Sequence, residues 1–184
     1  MRWNNHSELE GMHAFLSPSR HFWVNYELEK LESVYLTSQA MQKGTELHEL
    51  ASILIKHGQK LPRTSKTLNL YVNDAIGFKM ETEKTLYYSM NCFGTADAIS
   101  FRDGFLHIHD LKTGKTEGSI KQLEIYAALF CLEYEENPNN IDIELRLYQF
   151  DEVLVHSPLP EDILYIMAKI KEFDATIESL KQKE

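Results

Sequence analysis

Residues 94–112, GTADAISFRDGFLHIHDLK, decide the fold. Two runs rich in apolar and β-prone residues flank Asp103-Gly104, a dipeptide suited to a two-residue hairpin turn because both central positions of that turn need positive φ. Such a turn pairs Arg102 with Phe105, and the same register carried down the strands sets Asp97 opposite Asp110. Directly opposed residues hold their Cβ atoms about 5 Å apart, and like charges there repel. Two carboxylates facing one another in an apolar sheet therefore call for a proton, a base or a cation. Asp110 and Lys112 are two apart and share a face, so the lysine stands beside the acids. An isolated Asp-x-Lys pair is ordinarily a solvated ion pair; the facing Asp97 argues for a site. Hard oxygen donors of this kind suit Mg²⁺ or Mn²⁺.

The continuation Thr113-Gly114-Lys115-Thr116 suggests a phosphate-binding loop, but such a loop needs a glycine five positions before its Gly-Lys pair, and His109 stands there. Nucleotide binding by that motif is excluded.

Outward from the hairpin, Ile120–Tyr134 reads as a largely buried helix that ends near Asn137-Pro138. Residues 141–148, IDIELRLY, alternate apolar and polar and form a strand, expected to continue through Val153 to Val155. An amphipathic helix closes the chain over 160–181. Upstream, Ser17-Pro18-Ser19 looks like a helix start, leading into a helical segment from Arg20 to Ile55 with an interruption at Lys43-Gly44 and Thr45 as a fresh cap. A short helix is expected over Leu68–Phe78. The fold class is α/β or α+β, a mixed central sheet flanked by helices. The 184 residues suit a single domain: a helical part over about 17–80, a core over about 81–157 and a last helix over about 160–182.

Cys92 and Cys131 show no CxxC or Cys/His spacing, which argues against a zinc site, an iron–sulfur cluster or a disulfide framework. No stretch is long enough to cross a bilayer and no apolar leader opens the chain, so a cytoplasmic location is expected, the host cytoplasm if the protein is phage-encoded. A net charge of −9 argues weakly against a general polyanion-binding surface but not against a local cleft.

The ordered blocks Gly44-Thr45-Glu46-Leu47-His48-Glu49, Gly94-Thr95-Ala96-Asp97, Asp110-Leu111-Lys112-Thr113-Gly114 and Gln122-Leu123-Glu124-Ile125-Tyr126 resemble the PD-(D/E)XK nuclease superfamily, and within it the RecB-type exonucleases. The resemblance implies a restriction-endonuclease-like core and a metal-dependent DNA nuclease of recombination, replication or repair, an exonuclease of phage type, with DNA and a recombination or replication protein as partners and no membrane. It implies Asp97, Asp110, the Leu111 carbonyl and His48 as ligands for Mg²⁺ or Mn²⁺, Lys112 as the catalytic lysine, and Gln122 and Tyr126 lining the site from one helical face. Ala96 stands where the superfamily's name has proline, and the cysteines that hold an iron–sulfur cluster in many relatives are absent, so a cluster-free variant is implied.

Read as residues alone, His48 fits a core-edge histidine, Gln122 and Tyr126 fit packing roles, and Glu83 fits a surface strand residue, though it is also a candidate acidic contributor to the site. Lys115, Lys121 and Arg20, with Arg63 and Lys66, are candidate phosphate contacts; Trp23 and Tyr26 are candidate stacking residues better explained by packing. The competing function is a non-catalytic nucleic-acid-binding or interaction module that keeps the fold; a weaker third is an RNA nuclease or a nickase within a larger assembly.

Overall fold

The computed structural model describes residues 14–183. The chain divides into two compact units, Met1–Lys43 and Gly44–Glu184. In the first, a 3₁₀ segment at Pro18–Asn25 follows the expected start. Ser17 gives it no side-chain cap; instead its carbonyl accepts from the Trp23 indole at 2.9 Å. Regular α-helix begins only at Leu28, and α1 (Leu28–Lys56) runs unbroken through the division.

The expected interruption at Lys43-Gly44 is therefore incorrect, and Thr45 is an interior helical residue. A glycine inside a helix costs about 1 kcal/mol relative to alanine and need not end it. Here a Cβ on Gly44 would lie 2.8 Å from Thr113 Oγ1, so the residue is small because another segment passes close by.

The second unit adds α2 (Thr67–Gly77), β1 (Glu81–Ser89), β2 (Cys92–Arg102), β3 (Phe105–Leu111), α3 (Ile120–Glu133), β4 (Asp142–Gln149), β5 (Glu152–His156) and α4 (Pro160–Lys181). The strands form one mixed sheet in chain order. β1–β2, β2–β3 and β4–β5 are antiparallel, whereas β3 and β4 are parallel and joined through α3.

The Asp103-Gly104 hairpin has the expected register, Arg102 opposite Phe105 through to Ala98 opposite His109, and both turn residues have positive φ. β1 and β2 form a second hairpin, turning at Met90-Asn91, and one other expectation needs correction. The strand begun at residue 142 does not continue through Val153–Val155: it reverses at Phe150-Asp151, where φ is 55° and 60°, and returns as β5. That turn carries no glycine or asparagine. Contacts from outside the hairpin stabilise it: Asp151 accepts from the Thr67 amide at 2.9 Å and from Lys66 Nζ at 2.8 Å.

The sheet has an apolar cluster on each face. On one side α3 and α4 bury Leu123, Ala127, Phe130, Ile163 and Ile166 against Leu86, Ile99, Leu106, Ile108, Leu145 and Leu147. On the other, Ala51, Leu54 and Ile55 of α1 and Tyr71, Val72 and Ala75 of α2 cover Ala98, Leu111 and Tyr148. None of the described helices is long and apolar enough to cross a membrane.

Candidate active site at a break in the sheet

Ala96 and Ala98 are two apart and should share a face, yet Ala96 packs with the α3 cluster and Ala98 with the α2 cluster. The alternation fails between them, at Asp97. Across the β1–β2 ladder, Glu83 lies between Thr82 and Lys84, whose partners are Ala98 and Ala96, and Glu83 has φ 53°. A left-handed backbone at a non-glycine strand residue costs on the order of 1 kcal/mol and is found disproportionately at functional sites.

On the other side, the β2–β3 pairing ends at Ala98–His109, one step short of Asp97 and Asp110. The acids are thus not a regular opposed pair as the hairpin register implied. Asp97 Oδ2 instead accepts the Leu111 amide at 3.0 Å. The two carboxylates still act on one another. Burial first, and the Asp110 charge second, push the Asp97 carboxyl up to about 6; the Leu111 amide and His48 oppose the rise, and Glu83 adds to it.

Asp110 is buried. Lys112 Nζ donates to its Oδ1 at 3.2 Å and lies 3.0 Å from Oδ2, but outside hydrogen-bond geometry for the latter. Oδ2 consequently has no donor among the described residues. Lys112 also donates to Gln122 Oε1 at 2.9 Å, so described residues engage two of the ammonium's three donors. His48 Nδ1 lies 3.4 Å from Asp97 Oδ2, which brings the α1 histidine to the acids. Tyr126 donates to the Thr95 carbonyl at 2.8 Å, and its ring crosses β2 so closely that a Cβ on Gly94 would lie 2.9 Å from it.

The structure therefore gathers Asp97, Asp110, Lys112, His48 and Gln122, with Tyr126 beside Thr95. Among the basic candidates, exposed Lys115 joins Lys112 in lining a cleft of about 430 Å³. Lys121 is engaged by buried Glu124, and Lys66 by Asp151. Arg20 belongs to the first unit, in the 3₁₀ segment, and Arg63 lies in the loop before α2.

Sequence reasoning passed over Gln149 and Gly118. Buried Gln149 accepts the Gly118 amide at 2.9 Å and donates to the Gly114 and Thr116 carbonyls at 2.9 and 2.8 Å. It thereby pins the loop that leaves Lys112. A Cβ on Gly118 would lie 2.8 Å from Lys112 Cγ and 3.0 Å from both Leu147 methyls. Glu83 could not have been placed from the turn alone: a two-residue turn at Met90-Asn91 sets it against Ala98, and only the register shift between Tyr87 and Ser89 brings it level with Asp97.

A scan against protein-family models finds no match, and searches of curated proteins and of solved structures find none either.

Proposed function

We propose that the protein is a metal-dependent nuclease that hydrolyses phosphodiester bonds in DNA, and that Mg²⁺ or Mn²⁺ is held by Asp97, Asp110, the Leu111 carbonyl and His48. The observation that carries this reading is the convergence of two carboxylates, one with an unsatisfied buried oxygen and one held above the usual carboxylate range, beside a lysine positioned by its own partners. Buried like charges of this kind are costly without a counter-ion. Three of the four donors are oxygens and two of these are carboxylates, which fits those metals. The metal, when bound, would polarise the phosphodiester and lower the pKa of the attacking water. The chain's own groups do the rest. Gln122 and Asp110 hold the Lys112 ammonium in place, and its remaining N–H is available to a phosphoryl oxygen or to the attacking water. The similarity to RecB-type exonucleases supports DNA as the substrate and terminal attack as the mode, in recombination, replication or repair.

The test is incubation with end-labelled linear and closed circular DNA, single- and double-stranded, with Mg²⁺, Mn²⁺ or EDTA, for wild type and Lys112→Ala. Linear DNA should be degraded only with metal. Lys112→Ala should retain DNA and metal binding but cleave slower by about two or more orders of magnitude, because the lysine acts where charge develops in the transition state. Wild-type protein that binds DNA and cuts nothing with either metal would instead establish a binding module.

A further inference from the structure

The α2 face of the same strand carries a second constellation. His107 and His109 are two apart on β3, and the Phe78 ring lies 4.3 and 5.3 Å from their rings. Glu144 stands opposite His107 in the parallel register and Arg146 opposite His109. One ligand atom from each of His107, His109 and Glu144 fits within 4.8 Å of the others.

The hydrogen bonds around His109 fix its tautomer. Its Nδ1 lies 3.2 Å from the Tyr148 hydroxyl, which is 2.8 Å from Asp74 Oδ2. Tyr148 donates its single phenolic proton to Asp74, so the tyrosine oxygen accepts from His109 Nδ1–H. Nε2 therefore carries a lone pair, in a residue without solvent exposure, and no described group donates to it. His107 Nδ1 is buried and unpartnered as well, 3.4 Å from Glu144 Oε1 but outside hydrogen-bond geometry. Unsatisfied buried polar atoms are uncommon and ask for a cause; here two imidazole nitrogens and a carboxylate share it.

We infer that His107, His109 and Glu144 form a second metal site, selective for Zn²⁺, on the sheet face opposite the α3 cluster. Two imidazoles and one carboxylate match zinc better than Mg²⁺, which prefers an all-oxygen shell. With zinc–ligand bonds of about 2.0 Å, tetrahedral ligand atoms sit roughly 3.3 Å apart; the His107–Glu144 spacing already fits, and the ring of His109 has only to close. Tyr148 would act as the outer partner that orients His109, the usual role of a group on a ligand's other nitrogen. Arg146 donates to Glu144 Oε1 at 2.8 Å and to Asp74 Oδ2 at 3.1 Å, so its guanidinium is shared between two carboxylates. The Glu144 and Asp74 side chains are 21% and 35% exposed, which gives the ion a way in. Cysteine spacing argued against zinc; the histidines of the hairpin strand supply what the thiols do not. Such a zinc would tie β3 to β4 behind Asp110 and Lys112.

The test strips the full chain with chelator, adds Zn²⁺, removes excess by desalting and measures metal per chain, with Co²⁺ replacing Zn²⁺ for a visible spectrum. Wild type and Asp110→Ala should retain about one zinc per chain, and His107→Gln and Glu144→Gln should lose it while keeping their circular dichroism. Those two variants carry the test because His109, fully buried, is the one whose loss threatens folding. Wild type that retains no zinc, or His107→Gln and Glu144→Gln proteins that retain it as wild type does, would overturn the site. Loss in Asp110→Ala alone would overturn it too, by moving the ion to the acids. None of these readouts depends on nuclease activity.

Discussion

Asp97 concentrates the conflict that makes the site. Its carboxyl is pushed up to about 6 from an ordinary value of 3.8, so between these limits the folded, metal-free chain holds a proton that the unfolded chain has released. Stability must then fall as pH rises through that window, by on the order of 3 kcal/mol in all. Asp97→Asn keeps an oxygen for the Leu111 amide and removes the charge. In EDTA, thermal melts should show wild type losing several degrees between pH 4 and pH 7 relative to Asp97→Asn, with the variant the more stable at pH 7. Parallel melting curves of the two proteins across that range would mean that Asp97 is not under electrostatic stress. This conflict was half legible in the sequence. The Asp103-Gly104 cue places Asp97 level with Asp110, but alternation cannot reveal that the strand twists out of phase at Asp97 or that Glu83 takes a left-handed backbone opposite it.

Among the elements, those with strong local signals came through: the hairpin with its Asp-Gly turn, α3 with its apolar run, and α4 beginning at Pro160. The errors share a cause, that the deciding contact lies far away in sequence. Gly44 looked like a helix end because its reason is Thr113. The Phe150-Asp151 turn has no turn signature because Thr67 and Lys66 hold it. The loop after Lys112 is likewise set by Gln149, which no local pattern around residue 112 could indicate. That loop yields a prediction about lysine placement. Gly118→Ala would press a methyl group against Lys112 Cγ and Leu147, costing about 1–3 kcal/mol and tilting the ammonium away from Gln122 without touching a proposed metal ligand. Melting temperature should drop modestly, Mn²⁺ binding should persist, and kcat should fall at least tenfold. Unchanged kcat in a destabilised variant would show that the loop does not position the lysine.

For the whole molecule, the acids load strain into the metal-free fold that a hard cation would relieve. Millimolar Mg²⁺ or Mn²⁺, at about a hundred times its dissociation constant, should stabilise the protein by roughly 2.7 kcal/mol through linkage, seen as a rise of about 5–10 °C in Tm. Asp110→Ala should lose that rise and His107→Gln should keep it; equal gains in wild type and Asp110→Ala would place the ion elsewhere. Strand order bears on how the molecule reaches this state. Because the sheet follows chain order, Glu83, Asp97 and Asp110 lie on a local meander whose two tight turns close at little entropic cost, whereas β3 meets β4 only after the α3 crossover. During synthesis the acidic half of the site is therefore complete in sequence before β4 leaves the ribosome, and the Gln149 clamp on the lysine's loop arrives last. The growing chain carries its carboxylates for many residues before it can hold the loop that follows its lysine.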